Sequence, residues 1–273
     1  MHKLILLLLF ALKIFSAEDI VYATVNGKRL MATLYKADSK TKSPCVVLLH
    51  EGGFRRGSRE CFVDIGNDLA LRGISALSVS YRLVQEGGAY PEAVKDCIEA
   101  VYWLMKNGSK YNIDTSRIGV WGNSAGAYLA VMVSIAGGLP EDIKKGHGQF
   151  KFDKPRVKAV ISSLGFYDWE KSKFRGDGFI KVNSHYAEAS PIRYAESSDA
   201  DYFLIAAGND EFFSTDQAKS FSAAVKANGR QVELNIKQWQ KHAGICDMTG
   251  EFAQWVIPLS VDFLTRKLLR GAK

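Results

Sequence analysis

The sequence predicts an α/β fold with one mostly parallel sheet and helices on both faces. Short apolar runs alternate with stretches of helical spacing, and no linker, repeat or low-complexity tract divides the chain. The residues are 47% hydrophobic and 24% charged, which is near the globular average and excludes disordered, collagen-like and polytopic membrane proteins. The 273 residues are enough for one domain with a full core.

Eight strands are predicted, and the first two form a hairpin. Residues 20–25 and 29–35 flank Asn26-Gly27, a pair that favours a tight turn because both positions need positive φ. The other strands are short apolar runs. They cover residues 45–49, 74–81, 118–121, 157–164, 202–207 and 232–237.

Helical periodicity fills the stretches between these strands. Pro91 suits a first helical turn, and Ile98 and Val101 follow at the spacing of a core-facing stripe. Two long interruptions, residues 137–156 and 165–195, break the alternation and predict a small lid insertion. The predicted helices cover residues 60–72, 91–107, 125–135, 216–227 and 251–269.

Residues 1–17 have the pattern of a secretory signal peptide. Lys3 precedes the apolar run 4–12, and the small residues Ser16 and Ala17 follow. Nine apolar residues are too few to span a bilayer, which needs about 20. We therefore expect cleavage, a mature domain over residues 18–273, and a secreted or periplasmic location.

Charge and cysteine content exclude several partner classes. Removing residues 1–17 takes away two lysines and no acid, so the formal charge falls from +7 to +5, and no basic block exceeds Arg55-Arg56. Neither nucleic acid nor stable membrane insertion is therefore indicated as a partner. The cysteines lack C-x-x-C spacing, so they predict no zinc or redox site and at most one disulfide of unspecified pairing. They are Cys45, Cys61, Cys97 and Cys246.

A nucleophile motif follows the fifth predicted strand and opens the next helix. The segment 122–126 reads Gly-Asn-Ser-Ala-Gly and matches G-x-S-x-G. Small residues beside the serine allow a tight strand-to-helix turn, which presents the hydroxyl at the sheet edge beside a helix N-terminus. Ser124 is the predicted nucleophile.

A glycine-containing loop follows the third predicted strand, where this architecture places half of an oxyanion hole. It reads His50-Glu51-Gly52-Gly53-Phe54. Glycines let backbone N–H groups approach a substrate closely, and each such donor is worth about 3 to 4 kcal/mol to a tetrahedral oxyanion. We expect His50 to brace the loop and not to act as a base.

The base and its orienting acid are expected after the last two strands, in the chain order nucleophile, acid, histidine. His242 follows the eighth strand, whereas the other histidines lie in the leader, the glycine-containing loop or the polar inserts. Asp210 follows the seventh strand and is the expected acid. Glu211 remains an alternative because one residue of loop length would exchange the two, and Asp168, after the sixth strand, is a third candidate.

In this order the motifs resemble those of small α/β-hydrolase esterases, of the hormone-sensitive-lipase-like group and its bacterial feruloyl and acetyl-xylan esterase relatives. The resemblance covers nearly all of the predicted mature domain. The segments that show the resemblance are residues 50–54, 80–83, 90–93, 118–126, 189–191, 208–210 and 241–244.

The resemblance implies a serine carboxylic-ester hydrolase that works through an acyl-enzyme, with Ser124, Asp210 and His242 as its triad. It implies short-acyl esters, or feruloyl or acetyl esters of plant carbohydrate, as substrates, and no metal or organic cofactor. An amidase or peptidase of the same fold, or a degenerate homologue that binds carbohydrate or a partner, are the alternatives. The implied oxyanion donors are the backbone N–H groups of Gly52, Gly53 and Ala125.

Glu51 departs from the resemblance, because the family usually has glycine at this position. A carboxylate pointing inward, about 6 Å from the oxyanion, would repel it by about 3 kcal/mol at an effective dielectric of about 20. We expect Glu51 to point outward and to pair with Arg55, Arg56 or a basic group of the substrate. The candidates for acyl or aryl contacts are Phe54, Trp169, Phe174, Phe179, Phe212 and Phe213.

Overall fold

The computed structural model describes residues 17–172, 174 and 178–270. The predicted signal peptide lies outside these residues, except for Ala17, which begins the first strand. The strands are β1 (Ala17–Val25), β2 (Lys28–Tyr35), β3 (Ser43–Leu49), β4 (Ser75–Val79), β5 (Ile113–Asn123), β6 (Ala159–Ser163), β7 (Asp201–Ala207) and β8 (Val232–Lys237).

These strands form one sheet in the order β1-β2-β4-β3-β5-β6-β7-β8. The hairpin β1–β2 turns at Asn26 and Gly27, whose φ values of 50° and 77° are the positive angles that the pair was expected to adopt. β2 runs antiparallel to β1 and β4, and all remaining neighbours are parallel. The predicted eight-stranded, mostly parallel sheet is therefore confirmed.

Helices cover both faces of the sheet. They are α1 (Val63–Leu71), α2 (Glu92–Asn107), α3 (Ala125–Ser134), α4 (Glu141–Lys144), α5 (His185–Glu188), α6 (Thr215–Ala227) and α7 (Glu251–Leu264). Short 3₁₀ turns cover Arg59–Phe62, Val84–Glu86, Gly108–Tyr111, Ala136–Gly138 and Pro191–Ser197, and a π turn, Thr265–Leu269, continues α7. No helix in these described ranges is both long enough and apolar enough to cross a membrane.

Two hydrophobic cores lie on opposite faces of the sheet. One packs β-strand side chains against α2, α3 and α6, and the other packs the opposite face against α1 and α7. Neighbouring residues of β5 show the alternation, because Val120 belongs to the first core and Trp121 to the second. The inner parallel strands β3, β4 and β6 are buried on both sides, and the carboxyl ends of the parallel strands meet at one edge of the sheet.

The two predicted lid segments lie in different places. Residues 137–156 pack on α2, where the Tyr102 hydroxyl donates to the carbonyl of Lys144 at 2.7 Å and His147 Nε2 lies 2.6 Å from Asp96 Oδ1. Residues 165–195 instead contribute Phe166 and Phe174 to a cleft at the carboxyl edge of the sheet. Only this second insertion lines the cleft.

One disulfide joins Cys61, in the 3₁₀ turn before α1, to Cys246, in the loop between β8 and α7. The two Cα atoms lie 4.7 Å apart although 185 positions separate the residues in sequence. Cys45 and Cys97 are buried free thiols. The sequence allowed one disulfide without indicating its pairing, and the fold supplies that pairing at the carboxyl edge of the sheet.

Candidate active site

Ser124 lies at a sharp turn between β5 and α3, the elbow formed by residues 122–126. Its φ of 53° and ψ of −117° are unusual for a residue with a side chain, and its N–H donates to the carbonyl of Ser163 at 2.8 Å. A Cβ on Gly122 would overlap the carbonyl of Gly126, and a Cβ on Gly126 would overlap that of Leu49. Both glycines are therefore required by close backbone approach.

The structure brings Ser124 and His242 together although 118 positions separate them. Ser124 Oγ lies 2.8 Å from His242 Nε2, and His242 Nδ1 lies 2.8 Å from Asp210 Oδ2. An ionised carboxylate can only accept a hydrogen bond, so Nδ1 carries the ring proton and Nε2 is free to accept from the serine hydroxyl. This is the tautomer that a general base needs.

Asp210, and not Glu211, faces the imidazole. Its Oδ1 accepts from the N–H groups of Phe212 and Phe213 at 2.8 and 3.0 Å, which leaves Oδ2 aimed at His242. Glu211 instead accepts from the backbone N–H of His242 at 3.3 Å.

Asp168, the third candidate acid, has other partners. Its Oδ1 accepts from the N–H groups of Glu170 and Lys171, and its Oδ2 pairs with the Lys171 ammonium at 3.3 Å. Its carboxylate therefore closes a local turn after β6, and the structure does not bring it to the imidazole.

The oxyanion loop, residues 50–57, lies beside the serine. Gly52 and Gly53 have φ values of 118° and 62°, and the N–H groups of Arg55 and Arg56 close the turn on the carbonyl of Gly52. Within the described ranges, no protein acceptor pairs with the N–H of Gly52 or Gly53. Ala125, the first residue of α3, lines the same cleft, so all three implied donors lie around Ser124.

The cleft over Ser124 has a volume of about 830 Å³ and an aromatic wall. Four of the six aromatic candidates line it, while Trp169 and Phe179 are fully buried behind Phe54, with the Phe54 and Phe179 rings stacked at 3.7 Å. The sequence analysis missed Phe166, which lines the cleft three residues after the end of β6. The aromatic residues at the cleft are Phe54, Phe166, Phe174, Phe212 and Phe213.

A family model named BD-FAE matches residues 32–225, which is most of the chain and contains the elbow and the oxyanion loop. This chain belongs to the BD-FAE family. The match also reaches Asp210, while His242 lies beyond its end.

Relatives of this BD-FAE protein carry esterase names. Esterase LipC of Mycobacterium tuberculosis is 25% identical over 223 residues, covering 74% of this chain and 53% of that protein. Ethyl acetate hydrolase of Pseudomonas putida is 29% identical over 121 residues, covering 43% of this chain and 38% of that protein. The chain thus spans about half or less of the length of these relatives.

Solved structures share the whole fold. The apo form of Thermogutta terrifontis esterase 2 has a TM-score of 0.80 with 19% sequence identity, covering 94% of this chain and 95% of that one. The paraoxon-phosphorylated form of the same esterase has a TM-score of 0.79 and covers 92% and 94%. These likenesses establish the α/β-hydrolase fold that the motifs predicted.

Glu51 does not take the outward orientation expected of it. Its Oε2 accepts from Asn123 Nδ2 at 2.5 Å and from the Ile245 N–H at 3.0 Å, so the expected pairing with Arg55 or Arg56 was wrong. Two N–H donors, one from the end of β5 and one from the loop after β8, satisfy the carboxylate oxygen instead. Its partners come from distant loops, which the local sequence did not reveal.

Electrostatics keep His50 neutral within this BD-FAE site. Its ring is buried and stacks on Tyr81 with centroids 4.1 Å apart, and burial lowers the pKa of His50 from 6.5 to about 4. Nδ1 lies 2.8 Å from the carbonyl of Glu51, an acceptor, so the ring proton is on Nδ1. His50 therefore braces the oxyanion loop. Within the described ranges, no group of three or more His, Cys, Asp or Glu side chains could hold a metal ion.

The pKa of His50 predicts a pH dependence of stability. The unfolded chain takes up a proton on this ring below pH 6.5, whereas the folded state resists protonation until about pH 4. Stability from this group is thus fully present above pH 6.5 and falls by about 3 kcal/mol as the pH drops to 4. Urea unfolding from pH 7 to 4 should show a shallower loss in His50→Asn than in the wild type, and equal losses would contradict the assignment.

Proposed function

We propose that this protein is a serine carboxylic-ester hydrolase that works through an acyl-enzyme. The observation that carries the proposal is the continuous path from Ser124 Oγ to His242 Nε2 and from Nδ1 to Asp210, each contact 2.8 Å long. It ends in an open cleft beside the N–H groups of Gly52 and Gly53. Nucleophile, base and oxyanion donors of acyl transfer are therefore assembled in one place.

In acylation, Ser124 Oγ attacks the ester carbonyl while its proton passes to His242 Nε2. Asp210 keeps the ring proton on Nδ1 and stabilises the imidazolium that forms. The carbonyl oxygen becomes an oxyanion that accepts from the backbone N–H groups of the oxyanion loop and of Ala125. When the intermediate collapses, the C–O bond to the alcohol breaks, and the imidazolium returns its proton to the leaving alkoxide.

Deacylation repeats the same chemistry with water. His242 removes a proton from water as its oxygen attacks the acyl carbonyl, and the second tetrahedral intermediate uses the same N–H donors. Collapse releases the carboxylic acid and returns the proton to Ser124 Oγ. Every proton thus moves between the substrate or water, Ser124 and His242.

The proposed substrates are short-acyl esters or the aromatic and acetyl esters of carbohydrates. The phenylalanine-rich wall of the cleft supports this choice, since it offers apolar and aromatic faces to an acyl group. The name of the Pseudomonas putida relative, ethyl acetate hydrolase, also supports a small acyl group. The Thermogutta terrifontis esterase has structures with propionate and with butyrate bound, and both acids fit the same size class.

We also propose that the protein is exported. The leader pattern of residues 1–17 supports this, as does the Cys61–Cys246 disulfide, because disulfides persist mainly in oxidising compartments. Export predicts a mature N-terminus near residue 18 in protein recovered outside the cytoplasm. N-terminal sequencing that finds only the intact leader in a cytoplasmic fraction would contradict it.

Ser124→Ala should lower kcat by about 10⁴-fold and leave the fold intact, because it removes only the attacking oxygen. The measurement is turnover of p-nitrophenyl acetate, butyrate and long-chain esters, of methyl ferulate and of acetylated xylan, beside circular dichroism. Ser109→Ala, at an exposed serine, is the matched control and should keep wild-type rates. Near-normal turnover by Ser124→Ala, or activity on peptide or formyl-amide substrates alone, would refute the proposal.

Asp210→Asn should lower kcat by about 10⁴-fold, because the asparagine amide favours the wrong tautomer of His242. Glu211→Gln should cost less than about tenfold, since Glu211 accepts only from the backbone N–H of His242 and a glutamine oxygen can replace it. Steady-state kinetics of the two variants compare the neighbouring acids directly. A larger loss in Glu211→Gln would assign the acid to Glu211.

A further inference from the structure

Glu51 joins three loops that carry the site. It stands in the oxyanion loop, and one of its oxygens accepts two hydrogen bonds: from Asn123 Nδ2 at 2.5 Å and from the Ile245 N–H at 3.0 Å. Asn123 precedes the nucleophile Ser124. Ile245 belongs to the histidine loop, residues 238–250, three positions after His242. One carboxylate oxygen is therefore bonded to the segment of the nucleophile and to the segment of the base.

Asn123 completes the connection from the other side. Its Nδ2 also donates to the carbonyl of Ala243 at 3.0 Å. Glu51 and the Ala243 carbonyl can only accept, so the amide nitrogen must face both of them and the orientation of the amide is fixed. Two hydrogen bonds therefore hold the backbone just after His242: Asn123 donates to the carbonyl of Ala243, and the Ile245 N–H donates to Glu51.

The neighbouring residues are shaped around this carboxylate. A Cβ on Gly244 would overlap Glu51 Oε1, so a larger residue at this position would displace the carboxylate. Cys246, the next residue after Ile245, is fixed by its disulfide to Cys61. The partly buried carboxylate thus lies at the wall of the cleft, held between the elbow and the histidine loop.

We propose that Glu51 is a positioning residue that holds His242 and the oxyanion loop in register with Ser124. This inference rests on the proposed ester hydrolysis. The histidine loop has little regular structure of its own, and its base must stay within hydrogen-bond reach of Ser124 Oγ for proton transfer. Loss of the carboxylate leaves one N–H of the Asn123 amide and the Ile245 N–H without their acceptor, so the loops shift relative to each other.

A displacement of about 1 Å at the reacting groups can cost about a hundredfold in rate. The effect should appear in kcat and much less in KM, because the aromatic wall that receives the acyl group is not held by Glu51. An inhibitory carboxylate would do the opposite, since its removal would raise kcat.

The test compares Glu51→Ala, Glu51→Gly and Glu51→Gln, with Glu141→Ala as a control at an exposed glutamate. The alanine and glycine variants should lose about 10- to 100-fold in kcat, with KM changed by less than about threefold. Glutamine offers one carbonyl oxygen to both donors, so Glu51→Gln should keep kcat within about fivefold of wild type.

Asn123→Ala provides a second measurement through a double-mutant cycle. If the two residues act through one contact, the kcat of the double variant Glu51→Ala/Asn123→Ala should lie within about threefold of the kcat of the slower single variant. Multiplicative losses would overturn the shared contact. A kcat in Glu51→Ala equal to or above wild type, or an equal loss in Glu51→Gln, would overturn the positioning role.

Hydrogen exchange separates failure of this inference from failure of the proposed function. Exchange of the amides in residues 242–247 should be faster in Glu51→Ala than in wild type, whether or not the protein hydrolyses esters. Unchanged exchange would overturn the tether. Faster exchange in Glu51→Ala, together with no ester turnover by the wild-type protein, would uphold the tether and refute the proposed activity instead.

Discussion

The close approach of backbone at the turn around Ser124 is the constraint on which the rest of the site depends. β5 must end, reverse and enter α3 within a few residues while passing directly against β3. Only glycine at positions 122 and 126 allows this close backbone approach. The same turn holds Ser124 at a positive φ, which is a strained backbone conformation for a residue with a side chain. In return, the hydroxyl stands at the carboxyl edge of the sheet, where the loops after β3, β7 and β8 also arrive.

These loops differ in how their positions are fixed. Asp210 is held locally, because its carboxylate caps two N–H groups of its own loop. The histidine loop follows the edge strand β8, and its 13 residues form little regular structure. Its position comes from contacts with other segments, among them Asp210 on the imidazole, Glu51 on the Ile245 N–H, Asn123 on the Ala243 carbonyl, and the disulfide to Cys61. A base on such a loop needs tethers that a base on a helix would not.

The parts of the fold that depend on local pattern could be predicted from the sequence. The hairpin at Asn26-Gly27, the alternation of strands and helices, and the elbow each follow from short segments whose φ requirements or periodicity are visible in one window. β5 nevertheless begins at Ile113, earlier than its apolar run, because Ile113 pairs with Ser43 across an irregular register. The start of β5 is therefore determined by pairing with the neighbouring strand β3 and not by the apolar composition of its own segment.

The contacts between distant segments could not be predicted in the same way. Glu51 reaches Ile245 across 194 positions, and Cys61 reaches Cys246 across 185. Treated as a local substitution for glycine, Glu51 suggested a surface carboxylate or an inhibitory one. In the folded chain it is an acceptor for donors from the elbow and from the histidine loop.

The central claim is that Ser124 is activated by His242, and its most direct test is covalent trapping. Intact mass spectrometry after incubation with a fluorophosphonate should show one adduct per chain, and peptide mapping should place it on Ser124. Labelling should slow sharply in His242→Ala, because the Ser124 hydroxyl then lacks its base. An adduct on another serine, or ester turnover that persists without any adduct, would contradict the account.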